Sequence, residues 1–179
     1  MKAIAAALLI SLAAALGACS LPSVTDEINK QEQAAAVDRA KANQAADAFL
    51  AANKAKPGVV TTASGLQYEV LRKGASKLPA PGPHDEVTVM YEGALIDGSV
   101  FDSSYQRNEP VSFQVDGVIP GWTEALQLMH PGDAFRLVLP ADIAYGAQEK
   151  PGIPANSVLV FKVELLGFKK ADGTVVAPR

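Results

Sequence analysis

Between Tyr91 and Ser104 the chain reads YEGALIDGSVFDSS, which sets a tyrosine, a phenylalanine and an aspartate around an Asp97-Gly98 pair. An Asp-Gly pair between apolar residues signals a hairpin turn, so two strands should carry Tyr91 on one side and Phe101 and Asp102 on the other. Together these side chains offer a hydroxyl, an apolar ring and a carboxylate. The stretch contains no His, Cys or Gly-rich phosphate loop, and no base stands next to either Ser. Singly, each residue also has a purely structural use, Tyr91 as a strand residue with its hydroxyl at the edge and Asp102 as a turn or cap residue. Together they could form the wall of a site.

Other chemistries have little to draw on. His84 and His130 stand apart beside Pro-Gly turn signals, and with Cys19 as the only cysteine no zinc ligand set can be assembled. The net charge of -3, without large single-sign blocks, gives no nucleic-acid footprint. The expectation is therefore no metal, no cofactor and no nucleic acid. With 49% apolar and 20% charged residues, the 179-residue chain can build one principal domain with extensions.

The elements that must position these residues follow from periodicity. Leu66, Tyr68 and Val70 alternate with Gln67, Glu69 and Leu71 in a first strand, and Lys73 to Pro83 reads as a loop. Val87, Val89, Tyr91 and Leu95 share a face of a second strand. Val111, Phe113 and Val115 share one in a third, Phe135, Leu137 and Leu139 in a fourth, and Leu159, Phe161, Val163 and Leu165 in a fifth. Gly121 to Met129 predicts about two helical turns before Pro131-Gly132. Short strands with one short helix imply an antiparallel α+β domain of roughly 110 residues, the helix packed on the concave face of the sheet.

Ahead of this domain, residues 23–56 are dominated by Ala, Gln, Lys, Glu and Asp, mostly good helix formers, and Pro57-Gly58 stops them. Ile28, Ala35, Ala42 and Phe49 recur every seven residues, but Gln31 and Asp38 interrupt the matching positions. A solvated helical stalk and a weak dimerisation helix both fit. The uncharged run Ala3 to Ala18 is 16 residues, short of the roughly 20 that span a bilayer as a helix. With Lys2 before it, the run reads as an export signal.

Two resemblances sharpen this reading. Leu16-Gly17-Ala18-Cys19 resembles the lipobox of bacterial lipoproteins, which implies cleavage before Cys19 and acylation of its thiol and new amino group. More than one acyl chain holds a protein stably at a membrane. Ser20, where some relatives carry an inner-membrane retention Asp, leans towards the outer membrane. Further on, VTVMYEGALIDGSVFDSSYQRNEPVSFQV, VIPGWTEALQLMHPGDAFRLVLPADIAYG and PGIPANSVLVFKVELLGF resemble, in order and across residues 84–168, the FKBP-type peptidyl-prolyl isomerases. The preceding KPGVVTTASGLQYEVLRKG and the Ala-rich helix look like the end of the N-terminal region in the macrophage infectivity potentiator subfamily.

The second resemblance implies an FKBP-like fold: an antiparallel half-barrel sheet of five to six strands, wrapped on one short helix and preceded by an Ala-rich N-terminal helix. The implied organisation is a cleaved lipoprotein signal over 1–18, a lipid-attached stalk over 19–58 and a linker with the first strand over 59–83. The isomerase domain follows over 84–168 and a loose tail over 169–179. The implied activity is isomerisation of X-Pro bonds in exported proteins. The implied site is an apolar cup with Trp122 as floor and Tyr91, Phe101, Phe113, Val118, Ile119 and Phe161 as walls. The Ile119 N–H and the Tyr145 hydroxyl would donate to substrate carbonyls, Asp102 would face the twisting amide beside Tyr91, and Arg107 would steady Asp102. The implied partners are proline-containing unfolded polypeptides, the membrane through Cys19, and a weak second copy through residues 23–56. A non-catalytic client-binding module on the same fold is the alternative, and a structural spacer a third reading. Three departures from the family pattern bear on the cup: Val111 where many relatives place an aromatic, Lys150 before Pro-Gly-Ile, and Pro154-Ala155 for a frequent Pro-Pro.

Overall fold

The computed structural model describes residues 24–74 and 77–178, so the expected export signal and Cys19 lie outside the described residues. The chain divides into two compact units, residues 1–38 and 39–179. The described side chains of the first unit are all exposed, the apolar Ile28 and Val37 among them. They belong to helix α1 (Val24–Lys54), which carries Lys54 in its last turn and stops before Gly58 at φ +82°. Among the described residues, no helix is long and apolar enough to cross a membrane.

The unit 39–179 is an open antiparallel sheet. Its strands are β1 (Val59–Thr61), β2 (Gln67–Arg72), β3 (Glu86–Leu95), β4 (Val100–Ser103), β5 (Val111–Gln114), β6 (Ala134–Leu139), β7 (Leu159–Lys169) and β8 (Val175–Val176). The spatial order is β1-β2-β6-β7-β3-β4, with β5 also paired to β3 and β8 to β7. Helix α2 (Ser104–Arg107) follows β4, and helix α3 (Pro120–Leu126) starts with Pro in its first turn, where the missing N–H costs no hydrogen bond.

The period-two pattern works as expected in β3, where Val87, Val89, Tyr91 and Gly93 are buried in alternation. In β7 the buried set Leu159, Phe161, Val163 and Leu165 shifts phase before Phe168, because the register against β3 slips between Thr88 and Val89. These residues form one core with Leu137 and Leu139 of β6 and with Trp122, Ala125 and Leu126 of α3. The helix comes close because Gly121 is bare: a Cβ there would lie 2.6 Å from Leu139 Cδ2.

The fold is the expected α+β class, with short elements that the sequence pattern did not show. The stretch after Pro57 contains β1 as well as the linker. In β2, Tyr68 stacks on Phe135 with ring centres 5.4 Å apart, but Val70 is exposed. The expected inward face thus ends early, where pairing with β6 shifts between Val70 and Arg72. The tail, expected to be loose, turns back through Gly173 at φ +88° and pairs Val176 with Phe168.

The end of α1 is fastened to this sheet by a buried polar cluster. The Asn53 side chain donates to Gln67 Oε1 at 2.8 Å, Gln67 Nε2 donates to the Leu50 carbonyl at 3.0 Å, and Arg136 Nη1 donates to Asn53 Oδ1 at 2.7 Å. Asn53 is 2% exposed and Gln67 4%, so the amides satisfy one another where water does not reach.

Candidate active site

The hairpin at Asp97-Gly98 sets the first wall. Gly98 takes φ +90°, Gly98 N–H donates to the Leu95 carbonyl at 3.0 Å, and the Asp97 carboxylate accepts from Ser99 N–H at 2.8 Å. Strands β3 and β4 then run antiparallel, pairing Gly93 with Asp102. Gly93 is needed for packing: a Cβ there would lie 2.6 Å from ring atoms of both Phe101 and Phe161. The bare backbone lets these two rings meet edge to face, 5.7 Å apart.

Directly after β4, Ser103 caps α2 by accepting from Gln106 N–H at 3.3 Å, and Asn108 ends it in the left-handed region at φ 52°. This single turn brings Arg107 back to Asp102, five residues earlier. Buried Ser104 ties the same turn to β3, its hydroxyl accepting from Tyr91 N–H at 2.8 Å and donating to the Tyr91 carbonyl at 3.2 Å.

A cavity of about 340 Å³ lies between these elements and α3. It is lined by Tyr91, Phe101, Asp102, Phe113, Val118, Ile119, Trp122, Tyr145 and Phe161, which are the nine residues expected around the cup, and by Gly117, which was not. Trp122, 4% exposed, stands at its centre: Tyr91, Phe113 and Phe161 pack edge to face against it at 5.3, 5.9 and 5.2 Å. The Trp122 indole N–H is buried without an acceptor. Two further donors are uncommitted among the described residues. Ile119 caps α3 with its carbonyl, which accepts from Trp122 and Thr123, while its own N–H is unpaired. The Tyr145 hydroxyl, which the cavity exposes, is likewise unpaired.

The polar rim is held by charge. The Tyr91 hydroxyl donates to Asp102 Oδ2, and Arg107 Nη1 donates to Asp102 Oδ1 at 2.5 Å and Nη2 to the Tyr91 oxygen at 3.4 Å. Arg107 does not line the cavity; it reaches Asp102 from outside. Partial burial pushes the Asp102 carboxyl up, but the hydrogen bonds from Tyr91 and Arg107 and the guanidinium charge outweigh it and hold the group below the usual carboxylate range. Burial, then the hydrogen bond to the Asp102 carboxylate, pushes the Tyr91 hydroxyl above its ordinary value. Across neutral pH the rim is therefore a carboxylate, a neutral phenol and a guanidinium.

Sequence reasoning missed Ser104 and Gly93, which position the walls rather than form them. Their signal is the unbroken order from Gly93 to Arg107, which folds as strand, turn, strand and one helical turn. No group of three or more His, Cys, Asp or Glu side chains among the described residues could hold a metal.

Known proteins share the sequence and the fold of this chain. A family model for FKBP-type peptidyl-prolyl cis-trans isomerase matches residues 79–166, and one for the domain amino terminal to FKBP-type peptidyl-prolyl isomerase matches residues 2–70. The outer membrane protein MIP of Legionella longbeachae is 51% identical over 135 residues, covering 74% of this chain and 57% of that protein. The peptidyl-prolyl cis-trans isomerase Mip of Coxiella burnetii is 53% identical over 124 residues, covering 69% and 53%. The chain thus spans about half the length of these curated relatives. Among solved structures, a peptidyl-prolyl cis-trans isomerase of Pseudomonas syringae superposes with a TM-score of 0.66 at 42% identity, covering 72% of this chain and 93% of that one. By its sequence, its fold and the likeness of both to these proteins, the chain belongs to the FKBP-type peptidyl-prolyl cis-trans isomerase family.

Proposed function

We propose that the chain is a peptidyl-prolyl cis-trans isomerase acting on X-Pro bonds of exported polypeptides. The observation that carries this reading is the cavity itself: an aromatic cup on Trp122, with the Asp102 carboxylate fixed at its rim and unpaired donors at Ile119 and Tyr145. Resonance opposes rotation of a peptide bond by about 18–20 kcal/mol. No covalent bond has to break. A site lowers that barrier by binding the twisted amide, whose carbonyl has lost resonance and whose nitrogen has become pyramidal, better than either planar form. Each tenfold acceleration requires about 1.4 kcal/mol of this preference.

The walls hold the proline ring in a dry setting and the Ile119 N–H and Tyr145 hydroxyl anchor substrate carbonyls. Asp102, kept ionised by Tyr91 and Arg107, faces the turning amide and favours its altered polarity without exchanging a proton. In this reading Asp102, Tyr91 and Tyr145 act on the amide and Phe101, Phe113, Val118, Ile119, Trp122 and Phe161 bind the proline. Exchange spectroscopy on an X-Pro peptide tests it. The chain should raise the cis-trans exchange rate, and Asp102→Val and Phe161→Ala should fall towards the uncatalysed rate. Binding without faster exchange would instead make the domain a client-binding module.

The same reading divides the chain into a cleaved signal over 1–18, a stalk over 19–58, a linker with the first strand over 59–83, the isomerase domain over 84–168 and a tail over 169–179. The lipobox-like Leu16-Gly17-Ala18-Cys19 supports lipidation at Cys19 and attachment to the outer membrane, facing the periplasm. The Legionella relative is named as an outer membrane protein, which agrees. Mass spectrometry of the purified protein should find acyl chains on Cys19; an unmodified thiol would contradict the anchor. Exposed Ile28 supports a weak homodimer through residues 23–56.

A further inference from the structure

The turn after Tyr145 brings a cation, which the isomerase reading leaves unused, over a ring that lines the cavity. Lys150 and Ile153 exchange backbone hydrogen bonds of 3.0 and 2.9 Å across Pro151-Gly152, and Gly152 takes φ +77°. Ile153 is buried in the core and anchors the base of this turn. The turn lies against one cavity wall, since the Cβ direction of Gly152 meets Phe101 Cβ at 3.3 Å. It also extends over another, with Lys150 Nζ 5.7 Å from the centre of the Tyr145 ring. Lys150 is exposed, and among the described residues neither neighbouring Glu149 nor any other carboxylate forms an ion pair with it. By contrast, Arg107, behind the rim, is already paired with Asp102.

We propose that Lys150 selects substrates with an acidic residue immediately before the proline. This inference rests on the isomerase reading and names the substrate class of that site. A cavity of about 340 Å³ with aromatic walls accepts a proline ring and leaves the preceding side chain on the rim. The Cα of that preceding residue lies about 2.9 Å from the proline Cα in the cis form and about 3.8 Å in the trans form, so in both forms its side chain starts close to the bound proline. A Glu there comes within reach of an ammonium on a flexible four-carbon stem. Because the pair stays in water, the gain is modest, about two- to fivefold, and salt screens it.

The test uses the full chain in detergent micelles and two peptides that differ only by Glu or Gln before the proline. Exchange spectroscopy gives kcat/KM for each, and chemical-shift titration gives each affinity. The Glu-to-Gln ratio of kcat/KM should exceed one at low salt and fall towards one at high salt. It should approach one in Lys150→Ala and drop below one in Lys150→Glu. A wild-type ratio of one or less overturns the proposal, as does a ratio that Lys150→Glu leaves unchanged. If neither peptide is turned over, the isomerase reading fails, and the same ratio of affinities still decides whether Lys150 selects acidic residues.

Discussion

At the cavity rim, Asp102 holds an arginine and a phenol, and its carboxylate side chain remains 41% exposed. At the end of α1, Asn53 holds an arginine and an amide, and it is 2% exposed. Both clusters bridge separate elements, yet their groups and burial differ. The buried cluster uses neutral amides at its centre, because an ionised group removed from water costs several kcal/mol unless fully paired. The rim keeps a formal charge and open access, next to an aromatic floor. Neutral, buried and mutually satisfied polar groups hold a fold together. A charge kept exposed beside an apolar cavity is available to something else.

Separating activity from stability can break this comparison. The largest expected effect is on catalysis at the rim. Asp102→Val should lower kcat/KM for an X-Pro peptide by about ten- to a hundredfold, or about 1.4–2.8 kcal/mol of transition-state stabilisation. Its thermal midpoint should move little, since exposed ion pairs contribute at most about 1 kcal/mol. The comparison fails if the variant unfolds in step with its loss of activity. Next in size, Asn53→Ala strands the buried Gln67 amide and removes a partner of Arg136, so chemical denaturation should show a loss of about 1–3 kcal/mol. Its kcat/KM, measured well below the midpoint, should match wild type; a large fall would link the two clusters. The smallest effect is with pH. Asp102 titrates below and Tyr91 above their ordinary values, so kcat/KM should be flat between about pH 5 and 9. The depressed Asp102 value also means that its contribution to stability is present above the unfolded-state pKa and lost as pH falls through the folded one. A rate that titrates near neutrality would point to a different group at the reaction centre.

The two clusters were not equally legible in the sequence. The rim and cup are contributed mainly by strands with alternating burial and by one contiguous stretch, Gly93 to Arg107, so period two and family order both reach them. Asn53, Gln67 and Arg136 come from a helix end and two strands up to 83 positions apart, and Asn, Gln and Arg there read like any solvated surface. Only the pairing of β2 with β6 brings them together. Short elements were hidden for a related reason. Three residues in β1 and two in β8 are too few to display a period, and their pairing is set by the partner strand rather than by their own pattern, whereas four-residue β4 was legible through the Asp97-Gly98 turn before it. Gly117 escaped because a glycine has no side chain by which sequence could assign it to a wall.

The central claim is that this cavity turns prolyl bonds with no reactive group. It is tested most directly by refolding a protein whose slow phase is limited by an X-Pro bond, with the chain added at far below stoichiometric amounts. The account predicts that the slow phase accelerates in proportion to the chain added, and that Asp102→Val and Phe161→Ala lose most of the acceleration. A slow phase that keeps its uncatalysed rate in the presence of folded wild-type chain would contradict it.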